Sequence, residues 1–138
     1  MTVTTTVAHA QEELREDHRR LHALVDRLSA AGDQAALASV LEELHAAVTA
    51  HFNAEERPGG LYDTLGVCVP EFRTQLSRLV DDHFRIGAAL REMRDRARQD
   101  LGRARDPLLG EAARLAQVLA DHERRELAMV DAAMARGA

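Results

Sequence analysis

The chain has 138 residues, carries a net charge of -5, and is 46% hydrophobic and 30% charged, which suits one domain built around one core. An acidic balance speaks against nucleic acid or an anionic membrane as partners, because both attract a basic surface. No apolar run is long enough to span a bilayer, the first seven residues form no secretory leader, and a single cysteine, Cys68, allows neither an internal disulfide nor a thiolate metal cage; a cytoplasmic setting is expected.

Apolar residues recurring at steps of four and three predict four amphipathic helices. The first stripe is Leu14, His18, Leu21, Val25 and Leu28, within a helix over about 10–31, with Gly32 as its expected cap. Asp33 suits the N-cap of a second helix, 34–56, whose stripe runs Leu37, Leu41, Leu44, Val48, His51, Glu55. Arg57, Pro58, Gly59 and Gly60 break that pattern, and 57–69 is expected to be a lid loop folded over one end of the bundle. Pro70 then opens a third helix, 70–101, with Phe72, Leu76, Leu79, His83, Ile86, Leu90, Met93 and Ala97 on one face. Asp106 and Pro107 start a fourth, 107–135, with Leu108, Ala112, Leu115, Leu119, His122, Glu126, Met129 and Ala133. Short first and third connections favour an all-α, up-down-up-down antiparallel four-helix bundle over 1–138.

Six polar residues occupy positions on these stripes that call for apolar side chains: His18, His51 with Glu55, His83, and His122 with Glu126. A helix turns about 100 degrees per residue, so His and a Glu four residues on lie one above the other on the same face. Two such pairs plus two single histidines direct four imidazoles and two carboxylates at one cavity. Buried carboxylates without partners would cost several kcal/mol each, a large part of a stability of about 5 to 15 kcal/mol; bound cations remove that cost. Glutamate can bridge two ions while imidazole terminates each, and this mixed nitrogen and oxygen set suits a dinuclear site of iron or manganese. A closed structural zinc site would use four ligands rather than six.

Spacing alone is weak evidence, since His9 and Glu13 repeat it at a helix start. His22 lies beside the stripe and is expected at a half-exposed flank, or as an outer partner of the site. Phe52 and Phe84 each follow a candidate ligand and are candidate pocket walls. Tyr62, in the lid, is within possible reach of the cavity, although exposure is the common fate of a loop tyrosine. Asp17, Asp82 and Asp121 each precede a candidate histidine; adjacent helical side chains diverge, so these are expected to be solvated. His45 with Glu42 is an unpaired Glu-x-x-His match, and Cys68 is expected to be a small buried hydrophobe.

As a set, His18, His51 with Glu55, His83, and His122 with Glu126 resemble the hemerythrin-like, HHE cation-binding family. The resemblance covers nearly the whole chain and implies a bundle holding two iron ions under an oxo or hydroxo bridge, with those six residues as ligands and both glutamates bridging. Oxygen-carrying hemerythrins place a further His four residues after the one on the third helix, where this chain has Gly87, and have Asp in place of Glu126. The pattern is similar to the branch with one His, His and Glu, one His, His and Glu, which includes an iron-sensing domain. Gly87 leaves room for an exogenous ligand, so the resemblance implies redox reaction with dioxygen, peroxide or nitric oxide. Iron or oxygen sensing, or oxidation of a small organic substrate, are the alternatives.

Overall fold

The computed structural model describes residues 3–99 and 105–137. Four long helices, α1 (Val3–Ser29), α2 (Gln34–Glu56), α4 (Arg73–Gln99) and α5 (Arg105–Gly137), form the bundle, and a short helix, α3 (Leu61–Cys68), lies between α2 and a single 3-10 turn at Pro70–Phe72. Consecutive long helices pack on one another, and α5 returns to α1 to close the ring. One apolar cluster joins Val7 and Leu14 near the start of α1, Leu76 and Leu79 near the start of α4, and Met129 and Ala133 near the end of α5. Starts of α1 and α4 thus share a level with the end of α5, which is the expected antiparallel arrangement. No helix among the described residues is long and apolar enough to cross a membrane.

Local chemistry explains most helix ends. Asp33 caps α2 as expected, in extended conformation, its carboxylate accepting from the Ala36 amide at 2.8 Å. Helix α1 begins seven residues earlier than its predicted start, and Val7 and Ala10 extend the buried stripe back beyond Leu14. Gly32 does not adopt the left-handed conformation of such a cap; Gly59, with φ 77 in the turn after α2, is the one positive-φ glycine among the described residues. Helix α5 already runs from Arg105, so Asp106 lies inside it and not ahead of it, and the predicted end of the third helix at 101 falls outside the described residues.

The predicted lid loop is largely a helix. Leu61, Tyr62 and Leu65 make one face of α3 and are buried against the bundle end, a local period the Gly and Pro punctuation obscures. Asp63 reaches back to accept from the Gly59 amide at 2.9 Å, fixing the first turn. Gly60 permits the approach: a Cβ there would lie 2.5 Å from the Ala54 carbonyl oxygen and 2.9 Å from that of Glu55. The chain therefore turns tightly against the last turn of α2 and delivers Tyr62 inward.

A second apolar cluster, with Leu21, Leu28, Leu41, Val48, Ile86, Leu90, Leu108 and Leu119, fills the other end of the bundle. Between the two clusters lies a polar layer. His51, Glu55, His83, His122 and Glu126 are all buried there.

Candidate metal centre

The six inward polar residues meet in one place. His18, His51, Glu55 and Glu126 offer ligand atoms within 4.8 Å of one another, and Glu55, His83, His122 and Glu126 do the same. Both glutamates belong to both groups, and each group adds two imidazoles. Helices α1 and α2 supply the histidines of the first group, α4 and α5 those of the second. The geometry follows from the His and Glu pairs lying one turn apart on α2 and α5.

Three histidines are held from behind. His51 Nδ1 is 3.4 Å from Asp17, His83 Nδ1 donates to Glu56 at 2.7 Å, and His122 Nδ1 is 3.3 Å from Asp82. A carboxylate only accepts, so each of these rings can donate from Nδ1, which turns Nε2 inward. The inward nitrogens crowd one another and the glutamates: His83 Nε2 lies 3.0 Å from His122 Nε2 and 3.3 Å from Glu55 Oε1, and His122 Nε2 lies 2.5 Å from Glu126 Oε1. His18 Nε2, both Glu55 oxygens and Glu126 Oε2 are buried without a hydrogen-bond partner. Buried acceptor atoms left without donors are what a cation satisfies, so the residues present fit a metal.

Without a cation the site compensates by moving protons. Burial and the neighbouring Glu126 charge push the Glu55 carboxyl well above the ordinary carboxylate range. Burial acts the same way on Glu126, but hydrogen bonds with His122 and His83 outweigh it and hold that carboxyl well below the ordinary range. Burial lowers His51, aided by His18, whereas for His122 the bonds to Glu126 and Asp82 overcome burial and raise it.

Tyr62 enters this layer from α3. Its hydroxyl donates to Glu126 Oε1 at 2.5 Å and lies 2.9 Å from His83 Nε2 and 3.3 Å from His122 Nε2. Burial and the two glutamates raise its phenol far above the ordinary range. Phe52 is buried and stacks flat on His83, centroids 3.7 Å apart and planes 6 degrees from parallel, forming one wall.

Other candidates are placed elsewhere. His22 is mostly exposed and bonds Glu123 at 2.7 Å, so it is not an outer partner of a candidate ligand. Phe84 is 74% exposed and does not wall the centre. A Cβ on Gly87 would meet nothing within 4 Å, so the expected space exists, but it belongs to a groove of about 370 Å³ between α2 and α4 that His83 also lines. His45 lines that groove beside Arg94, and His9 with Glu13 is an exposed pair. Asp121 pairs with Arg124 as a solvated residue should.

Asp17 and Asp82 depart from the expected solvation. Neither serves the histidine next to it in sequence; each reaches across a helix seam, Asp17 to His51 and Asp82 to His122. Glu56 does the same for His83. Each lies on a flank beside an inward position, but spacing within one helix does not say which seam that flank faces. No match is found among curated proteins or among solved structures. The family model described as the hemerythrin HHE cation binding domain matches residues 9–130, and the chain belongs to that family.

Proposed function

We propose that this is a dinuclear iron protein in which His18 and His51 hold one ion, His83 and His122 the other, and Glu55 and Glu126 bridge them. The observation that carries this reading is the sharing of both glutamates by two four-residue groups. Imidazole and carboxylate together suit iron, with manganese the next choice. When bound, such a pair supplies reversible electron transfer and open positions for dioxygen, peroxide or nitric oxide.

The chain's own residues shape that chemistry. Asp17, Glu56 and Asp82 hold three imidazoles in the tautomer that presents Nε2. Tyr62 places a hydroxyl donor between His83 and Glu126, where it can orient an oxygen-containing ligand or move a proton. Phe52 and the two apolar clusters limit water. The function supported best is redox reaction with a small oxidant, of peroxidase, catalase or oxidase type.

Iron-loaded protein given excess hydrogen peroxide tests this: catalytic consumption over many equivalents is expected, and stoichiometric bleaching followed by inactivity counts against it. A sensing role is the second reading, favoured by the unpartnered buried atoms of Glu55, which make the fold depend on its cations. Loss of helicity on iron removal, without any turnover when loaded, identifies that case.

A further inference from the structure

The groove of about 370 Å³ between α2 and α4 falls within the range of cavities that hold small organic molecules. Its two ends differ. Glu56 lies at one, already bonded to His83, and His45 lies at the other with Arg91. Between them come the buried ring of Phe52, the open space over Gly87, and the ring of Phe84, which is exposed.

The His45 end offers donors that solvent can reach. Arg94 can only donate, so the His45 Nδ1 that lies 3.2 Å from its Nη1 accepts, and the ring hydrogen sits on Nε2. Burial, aided by Arg94 and Arg91, holds the ring below the ordinary histidine range and so keeps that neutral form. The Nε2 hydrogen has no partner, and Nε2 is not among the unpartnered atoms closed off from solvent. Arg91 is exposed and makes no hydrogen bond or ion pair among the described residues. The carboxylates that act on His45 are already taken, Asp95 by Arg94 and Glu42 by Arg98. Two open donors, one of them a full positive charge, therefore line the groove with no anion set against them.

We propose that this groove binds a small aromatic carboxylate, its anion held by the Arg91 guanidinium and the His45 Nε2 hydrogen and its ring lying over Gly87 against Phe84. Guanidinium and carboxylate match both in charge and in planar, two-pronged geometry. Glu56 fixes the direction, because a carboxylate at that end would meet a like charge; the ring points toward His83 and the anion away from it. Phe84 gains an offset ring partner in place of solvent. None of the atoms used is one that cations in the centre would claim, so the site does not rest on the dinuclear reading.

The test is calorimetric titration of the protein with benzoate, with benzyl alcohol, which lacks the charge, and with acetate, which lacks the ring, metal content being measured on the same sample. Benzoate should bind more tightly than either by on the order of tenfold. Arg91→Gln should reduce benzoate to the affinity of benzyl alcohol, and Gly87→Leu, at a position open to a side chain, should weaken both aromatic ligands by filling the groove. Equal affinity for benzoate and benzyl alcohol, acetate binding as well as benzoate, or no binding at all overturns the site. So does a benzoate preference that survives Arg91→Gln, the outcome expected if cations in the centre capture the carboxylate directly. A missing metal pair defeats the dinuclear reading and leaves a benzoate site that responds to Arg91→Gln standing.

Discussion

Asp82 Oδ2 lies 3.3 Å from His122 Nδ1 across the seam between α4 and α5, and accepts from Arg125 at 2.7 Å on its other side. The arginine holds the carboxylate, the carboxylate holds the ring, and the ring presents Nε2 to Glu126 at 2.5 Å. Asp82→Ala should therefore lower metal affinity roughly 10- to 100-fold in a chelator competition. Asp121→Ala, which loses only its pair with Arg124, should leave affinity unchanged.

Tyr62→Phe removes one hydroxyl and little else, since the ring stays packed between His83 and the apolar end cluster. Metal content should be retained, while the rate of peroxide consumption falls on the order of a hundredfold if the hydroxyl transfers or orients a proton. Equal rates in both proteins would assign Tyr62 to packing.

The metal-free protein should become less stable as pH rises. Burial and the Glu126 charge raise Glu55, so the folded chain keeps a proton that the unfolded chain has released, and this contribution fades toward the raised value. His122, raised by Glu126 and Asp82 against the effect of burial, adds a loss of the same sign above the ordinary histidine range. His51, lowered by burial and by His18, opposes them only below that range. Between about pH 6.5 and 8 both losses are unopposed, so the Tm of metal-free protein should fall while metal affinity increases. Thermal melts across that window check the first and competition titrations the second; a Tm that rises there contradicts the assignment.

Gly60 and Gly87 should respond oppositely to alanine. Gly60→Ala drives a Cβ into backbone carbonyls at the end of α2, and overpacking of this kind costs about 1–3 kcal/mol. Gly87→Ala meets no atom within 4 Å inside a helix, and should stabilise by about 0.5–1 kcal/mol. Denaturant titrations of both variants read the signs directly.

Periodicity made the four long helices and their six inward polar residues legible, because an inward His or Glu interrupts an otherwise apolar stripe at a countable position. It did not reveal α3, where eight residues between glycines and a proline hold too few turns for a period to show. The partners Asp17, Glu56 and Asp82 were hidden for another reason: each acts on a different helix, and which seam a flank residue faces depends on packing that spacing within one helix does not encode. Phe84 and Phe52 illustrate the same limit, since both follow a candidate histidine yet one stacks on His83 and the other faces solvent.

Whether Glu55 and Glu126 are shared between two ions is read from metal analysis of the wild type beside His18→Ala. Two ions per wild-type chain and one in His18→Ala are expected, because the group of Glu55, His83, His122 and Glu126 survives that change intact. One ion or fewer in metal-replete wild-type protein, or equal content in both, contradicts that sharing.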